Sequence, residues 1–169
     1  MKNTQEVKNE QYGILFLGKG IDGENEQFVE ILRDWIIRNG CSIVKEAKAK
    51  YSAEDCKVHY CKMTDAPFYP ELEEYLTSGT SYGFVVIGTK EQLRNLKASV
   101  GKAKNPAPDT LRGFLFASTG RTDTTRNFVH CSDIDELDID GVNLLATKEI
   151  ANFNNVASKT KQNEVGETL

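Results

Sequence analysis

The sequence contains no apolar run approaching the roughly 20 residues needed to cross a bilayer, which excludes a membrane-spanning helix. It also lacks an excess of positive charge: the formal net charge is −4, so bulk charge supports neither a nucleic-acid nor a membrane surface. Residues 1–11 are polar and lack the apolar stretch of a signal peptide. With four cysteines and no leader, we expect a cytoplasmic protein with free thiols and no nucleic-acid or membrane partner.

The sequence also lacks internal repeats and a recognisable linker, so its 169 residues predict one domain. We expect a polar N-terminal extension over residues 1–11, a folded domain over 12–156, and a polar, disordered tail over 157–169. Hydrophobic residues make up 39% of the chain and charged residues 27%, which is ordinary for a soluble globular domain.

Apolar periodicity predicts an alternation of strands and helices. The predicted strands cover residues 13–17, 41–49, 82–87 and 127–130. Helices are predicted over 24–39, over 53–61, from Pro70 to about 79, and from Thr89 to Gly101, whereas 102–126 is expected to be an irregular loop. This order reduces to βαββαβ. It predicts an α+β, ferredoxin-like fold, in which helices pack on one face of a four-stranded antiparallel sheet.

Histidine is scarce, and one of the two histidines, His130, ends a predicted strand just before a helix-start signal. Ser132 with Asp135 three residues later is typical of a helix N-cap. The exposed N–H groups of a helix N-terminus favour anions, so an imidazole at this junction could meet a phosphate. The alternative is an ordinary packed or solvent-facing histidine.

Two other patterns suggest different chemistry. Cys56, His59 and Cys61 would point in different directions from one helix, so we expect no metal site there. Residues 18–23 fit G-x-G-x-x-G between a strand and a helix, and Glu46 could serve as the acidic residue that binds a ribose. The second pattern keeps open a Rossmann-type NAD-binding oxidoreductase, although the chain has few strands for that fold.

Five short motifs follow one another along the chain. They are His59-Tyr60; Pro67-Phe68-Tyr69 with Leu72 and Ser78-Gly79; Asn105-Pro106-Ala107 with Asp109-Thr110-Leu111-Arg112-Gly113; Asn127-Phe128-Val129-His130-Cys131-Ser132-Asp133; and Lys148-Glu149-Ile150 with Phe153. Each is similar to a motif of the nucleoside diphosphate kinases, in that family's order. Over residues 13–153 the chain therefore resembles a divergent member of this family.

The resemblance implies ping-pong phosphoryl transfer, in which His130 takes the γ-phosphate of a nucleoside triphosphate and passes it to a nucleoside diphosphate. Glu149 would fix the tautomer of the His130 ring. The implied nucleotide-binding residues, with Mg²⁺ bridging the phosphates, are Lys19, Tyr60, Phe68, Leu72, Lys97, Arg112 and Asn127. Of these, Arg112, Lys97 and Tyr60 would hold phosphates, Phe68 would stack on the base, and Lys19 and Asn127 would bond the sugar. Ser132 would support the site.

The chain departs from the family pattern in several places. Ala66 and Lys97 stand where the family has arginines, and Cys131 replaces a glycine. Insertions occur at 121–126 and 134–146. Because lysine lacks the bidentate fork of arginine, we expect weaker phosphate clamping. A catalytically weak or inactive nucleotide-binding or regulatory module of the same fold therefore remains an alternative.

The resemblance also implies a homo-oligomer, since family members form tetramers or hexamers built from dimers. Here the loop before Arg112 is about three residues shorter than the family pattern, and the chain after Phe153 carries no aromatic residue. We therefore expect a two-fold dimer, the commonest closed symmetry, with higher assembly weakened.

Overall fold

The computed structural model describes residues 10–134 and 144–168. Four strands form one sheet: β1 Tyr12–Gly18, β2 Ser42–Ala49, β3 Ser81–Gly88 and β4 Val129–Cys131. Their order is β2-β3-β1-β4, and every neighbouring pair is antiparallel. This topology confirms the α+β, ferredoxin-like prediction. It also excludes the dinucleotide-binding alternative, because a doubly wound sheet is mostly parallel.

Six α-helices lie among the described residues: α1 Glu26–Arg38, α2 Ala53–His59, α3 Tyr69–Leu76, α4 Lys90–Val100, α5 Leu111–Thr119 and α6 Leu144–Thr168. The start of α2 is a capping box, in which Ser52 and Asp55 each accept the backbone N–H of the other. Thr89 and Gln92 form the same motif at the start of α4. Both predicted helix starts are confirmed.

The sheet is covered on both faces, not on one as predicted. In β1, Ile14 and Phe16 pack into a first core with α1, α4 and α5. Leu15 and Leu17 pack into a second core with α2, α3 and α6. All four side chains are fully buried, as expected where a strand has a layer on each side. The uninterrupted apolar run of β1 was the sequence signal for this second layer.

The prediction of an irregular chain over 102–126 is wrong for α5. Thr110 caps this helix by accepting the N–H of Gly113, and Gly120 ends it with a left-handed φ of 70°. Leu111 and Leu115, one turn apart, are buried in the first core. Nine residues with a glycine in the first turn present too short an apolar pattern to indicate a helix by periodicity alone.

The prediction of a disordered tail is also wrong for the described residues, because α6 continues to Thr168. Val156, Ala157 and Thr160 are buried along one side of this helix. The Oγ1 of Thr160 accepts the backbone N–H of Lys50 at 2.9 Å, beside the end of β2. The polar residues between Ala157 and Thr160 lie on the exposed side of the helix. The polar composition of this segment therefore reflects a solvated helix face.

The strand that carries His130 begins two residues later than predicted. Phe128 has a φ of 72°, so the chain turns at this residue before β4 begins. Its N–H donates to the hydroxyl of Tyr75 at 3.1 Å, and its carbonyl accepts the N–H of Lys19 at 2.9 Å. These two bonds satisfy the backbone of Phe128 at a conformation that cannot continue a strand.

Some predictions fall outside the described residues. These are the N-terminal extension up to residue 9, the residue Asp135 of the proposed cap, and the insertion over 135–143. Among the described helices, none combines the length and the apolar character that crossing a membrane requires.

Candidate active site

His130 is the middle residue of β4 and pairs with Leu17 of β1. Side chains alternate across a strand, so Val129 and Cys131 pack into the first core while His130 points to the opposite face. There its ring centroid lies 4.4 Å from that of His59. The sheet therefore fixes the backbone of His130 and presents its ring to α2 and α6.

Glu149 reaches His130 from α6. One turn further along the helix, Phe153 packs against Gly83 of β3, where a Cβ atom would come within 2.4 Å of the ring. This close approach seats α6 on the sheet and so sets the position of Glu149. The Nε2 of His130 lies 3.0 Å from the Oε2 of Glu149.

Ser132 holds Glu149 from the other side. Its hydroxyl donates to the Glu149 carboxylate and accepts the N–H of Leu15 at 2.9 Å. Burial opposes ionisation of Glu149, but the charge and hydrogen bond of His130, with His59 and Ser132, outweigh it and lower its pKa to about 2. An ionised carboxylate only accepts, so Nε2 of a neutral His130 carries the proton and Nδ1 keeps a free lone pair.

A cavity of about 340 Å³ opens beside this pair. It is lined by five of the residues predicted from sequence: Tyr60, Lys97, Arg112, His130 and Glu149. A larger cavity of about 490 Å³ lies between α1 and the edge of the sheet, but none of the predicted residues lines it. The contact between His130 and Glu149 at the smaller cavity, with Lys97 and Arg112 beside it, makes this cavity the candidate active site.

Two of the cations that line this cavity, Arg112 and Lys97, donate hydrogen bonds to backbone carbonyls. The Arg112 guanidinium donates to three backbone carbonyls, those of Gly101, Asn127 and Val129. Lys97 donates from Nζ to the carbonyl of Cys131 at 2.8 Å. Both side chains thus tie α4 and α5 to β4 while they carry positive charge to the cavity wall.

Lys19 and Asn127 are paired with each other and do not line the cavity. The Nζ of Lys19 donates to Oδ1 of Asn127 at 2.6 Å, and both side chains are buried. Burial and the nearby charge of Arg112 lower the pKa of Lys19 to about 7, although Asp22 opposes this change. A neutral or half-charged lysine can donate to Asn127 with a small desolvation penalty.

Phe68 and Leu72 are not among the residues that line the cavity beside His130. Phe68 stands directly before α3 with 49% of its surface exposed. Leu72 is buried in the second core and is not among the residues that line the cavity. A helix that packs on the sheet must bury one stripe of side chains, and Leu72 belongs to that stripe.

The insertion before β4 is anchored by Arg121. Its guanidinium donates to both carboxylate oxygens of Asp22, at 2.7 and 3.0 Å. It also lies 4.2 Å from the ring centroid of Phe128. This departure from the family pattern therefore fixes the chain that leads into β4.

His59 is the site residue that sequence reasoning missed. The sequence placed it in the His59-Tyr60 motif and beside Cys56 and Cys61 without giving it a role, and of these cysteines Cys56 is buried in the second core and Cys61 is exposed. Instead His59 is buried against His130 and Tyr60. Burial, and then the charge of His130, lower the pKa of His59 to about 3, with Glu149 opposing. The available sequence signal for a role of His59 was that the chain has only two histidines.

The low pKa of His59 predicts a loss of stability in mild acid. In the unfolded state His59 has a pKa near 6.5 and binds a proton that it does not bind in the folded state. The free energy of unfolding therefore falls as the pH drops from 6.5 towards 3. The free energy of unfolding should change with a slope that approaches about 1.4 kcal/mol per pH unit. Urea unfolding of the wild type and His59→Gln between pH 6.5 and 5, above the window in which Glu149 titrates, measures it.

His59→Gln should have a flatter pH dependence, whereas Tyr51→Phe, a neighbouring buried change without titration in this range, should keep the wild-type slope. Equal slopes for the wild type and His59→Gln would show that His59 does not remain neutral in the folded protein.

An imidazole that contacts a buried carboxylate through one ring nitrogen and faces a cationic cavity defines a site for covalent transfer of an anionic group. The family model for nucleoside diphosphate kinase matches residues 22–149. The nucleoside diphosphate kinase of Streptococcus agalactiae is 34% identical over 137 residues, which cover 79% of this chain and 93% of that protein. That of Methanosarcina mazei is 33% identical over 139 residues, or 80% and 89% of the two chains. The chain therefore belongs to the nucleoside diphosphate kinase family, whose members are phosphotransferase enzymes.

Solved structures agree. The nucleoside diphosphate kinase of Halobacterium salinarum, determined with CDP, superimposes with a TM-score of 0.66 at 25% identity, covering 86% of this chain and 87% of that one. The Encephalitozoon cuniculi enzyme gives a TM-score of 0.68 at 19% identity over 84% of this chain and 88% of that one, which supports the fold.

Proposed function

We propose that this protein transfers the γ-phosphate of a nucleoside triphosphate to a nucleoside diphosphate through a phosphohistidine on His130. The observation that carries the proposal is the contact between His130 Nε2 and Glu149, at 3.0 Å. It leaves Nδ1 as the nucleophile.

In the first half-reaction, Nδ1 forms a bond to the γ-phosphorus while the bond from phosphorus to the bridging oxygen breaks. The diphosphate leaves with that electron pair. In the second half-reaction, a terminal oxygen of another diphosphate attacks the phosphorus and the bond to Nδ1 breaks. The Nε2 proton stays on the hydrogen bond to Glu149 throughout, so the carboxylate faces the positive charge that develops on the ring.

Tyr60, Lys97 and Arg112 are proposed to hold the phosphates, because they line the cavity next to His130. Mg²⁺ bound with the nucleotide would neutralise phosphate charge. The lining fits a metal carried by the substrate, because Lys97 and Arg112 suit phosphate oxygens.

The nucleoside is proposed to lie towards Phe68, whose half-exposed ring can stack on a base of any identity. Lys19 and Asn127 are proposed to reach the sugar hydroxyls, which requires opening the hydrogen bond between them. Leu72 is proposed to support the nucleoside-binding residues from the second core, without touching the nucleotide itself.

The test is transfer of label from γ-labelled ATP. An active enzyme acquires an acid-labile, alkali-stable phosphate, and unlabelled GDP then removes the label as GTP. Label that appears on the protein but cannot be passed to GDP would contradict the ping-pong scheme.

A second candidate function is a non-catalytic nucleotide-binding or regulatory module. It is favoured by one observation: Arg112 and Lys97 already donate to backbone carbonyls, so the cavity has fewer free donors for phosphate. This candidate predicts nucleotide binding without any label on the protein.

Arg112→Ala should weaken binding of ATP more than binding of adenosine, because it removes a charge-assisted contact that only the phosphates use. We expect a difference of about 1.5–3 kcal/mol, measured by calorimetry. The change also leaves three carbonyls without their donor, so urea unfolding at the same pH is needed to establish that the variant is folded. Equal losses for ATP and adenosine would assign Arg112 to structure alone.

The protein is proposed to form a two-fold dimer built from the body of the fold. Ile37 of α1 and Val44 of β2, an edge strand, expose 58% and 57% of their surface. Light scattering at micromolar concentration should give a mass near twice 18.9 kDa. A mass near six chains would contradict the weakened higher assembly, and a mass of one chain would contradict the dimer.

A cytoplasmic location is also proposed. All four cysteines are free thiols, and such thiols persist where the environment is reducing.

A further inference from the structure

The proposed phosphoryl transfer does not use His59. The side chain of His59 is nevertheless a buried polar group in the described part of the chain. Only 3% of its surface is exposed. Neither ring nitrogen has a hydrogen-bond partner among the described residues. A buried donor or acceptor left unpaired destabilises a fold, so its retention requires an explanation.

His59 lies against two other groups that can bind a cation. One nitrogen from each of His59 and His130 and one oxygen of Glu149 lie within 4.8 Å of one another. All three residues line the cavity of about 340 Å³, so an ion could reach them from solvent.

We infer that His59, His130 and Glu149 form a binding site for a divalent transition-metal ion, with Zn²⁺ as the probe. Two imidazoles and one carboxylate select such an ion over Mg²⁺, which prefers oxygen ligands and keeps its waters. Three protein ligands leave one coordination position open to the cavity.

The geometry is close to that of a bound ion. Bonds of about 2.0–2.2 Å at tetrahedral angles hold the donor atoms about 3.3–3.6 Å apart, so the widest pair has to approach by at most about 1.5 Å. The contact between His130 and Glu149, at 3.0 Å, is already short enough. Ser132 holds the carboxylate from behind, as an outer-shell partner does in metal sites.

Metal binding would oppose phosphorylation of His130, and this part of the inference rests on the proposed function. The ion binds Nε2 of His130 in place of its proton, and that proton moves to Nδ1 as the ring takes its other neutral tautomer. Nδ1 then has no lone pair with which to attack the γ-phosphorus. The site would thus give the enzyme an inhibitory response to Zn²⁺, separate from the Mg²⁺ that accompanies the nucleotide.

The test is calorimetric titration of the full chain with Zn²⁺ in the absence of nucleotide, so its result does not depend on kinase activity. We expect one ion per chain. Since even outer-shell changes weaken metal binding about 10–100-fold, His59→Gln should weaken it by more than about 100-fold. Cys61→Ser is the matched control, because Cys61 is exposed and lines the same cavity without belonging to the cluster. It should bind as the wild type does.

Co²⁺ provides a second readout that does not require a variant to fold. Its visible spectrum should indicate nitrogen and oxygen ligands. A thiolate-to-cobalt charge-transfer band, loss of binding in Cys61→Ser, or unchanged binding in His59→Gln would each overturn the assignment.

The inhibitory part is measured with γ-labelled ATP in Mg²⁺. Saturating Zn²⁺ should slow labelling of the wild type at least about tenfold, and a chelator should restore it. Unchanged labelling with Zn²⁺ bound would overturn the inhibition while leaving the site. A wild type that binds Zn²⁺ but never accepts label would instead contradict the proposed kinase activity.

Discussion

Replacing His130 by alanine is expected to abolish the acid-labile phosphate on the protein and to lower nucleotide-to-nucleotide transfer by more than about 10⁴-fold. An alanine offers no lone pair at the position of Nδ1, and loss of a covalent nucleophile usually has an effect of this size or larger. Rapid-quench labelling with γ-labelled ATP measures the first quantity, and a coupled assay measures the second.

Binding of Mg²⁺·ADP to His130→Ala should persist, because Lys97 and Arg112 are still anchored to the backbone by their own hydrogen bonds. Ser132→Ala is the control for misassignment, since Ser132 lies beside the same carboxylate. Label that survives in His130→Ala, or that disappears only in Ser132→Ala, would move the nucleophile to the serine.

Glu149→Gln is expected to slow phosphorylation of His130 by roughly 10²–10⁴-fold, between the effect of an outer-shell partner and that of a wrong histidine tautomer. A glutamine that turns its NH₂ group towards Nε2 donates to it, which places the ring proton on Nδ1 and blocks attack. A glutamine that turns its oxygen inward keeps the tautomer but removes the negative charge. The labelling rate at saturating ATP measures the change.

Nucleotide affinity should change little in Glu149→Gln, so the effect should fall on the rate of labelling and not on its dependence on ATP concentration. In Glu149→Gln the free energy of unfolding should also fall less steeply as the pH is lowered. The wild-type Glu149, with a pKa of about 2 against 4.5 when unfolded, stabilises the protein above pH 4.5 and loses this contribution as pH falls towards 2. A labelling rate equal to that of the wild type would assign Glu149 to stability alone.

The sequence by itself determined the parts of this protein that depend on neighbouring residues. The capping boxes at Ser52 and Thr89 require side chains three residues apart, and both helix starts were predicted correctly. Likewise, the order of short apolar runs and amphipathic segments was enough to predict the βαββαβ arrangement, because element type follows from local periodicity. The motif around His130 pointed to the family for the same reason: it is contiguous.

Only the tertiary structure decided what depends on residues far apart in the chain. His59 and His130 are 71 positions apart (130 − 59), and their contact follows from how α2 and β4 meet on one face of the sheet. The helical state of the chain after residue 157 depends on burial of Val156 and Thr160 against distant strands, which no local pattern encodes. The engagement of Arg112 by three backbone carbonyls likewise requires α5 to lie beside β4. A sequence specifies side-chain chemistry, but packing decides which of those groups share a cavity and which are already satisfied by the protein itself.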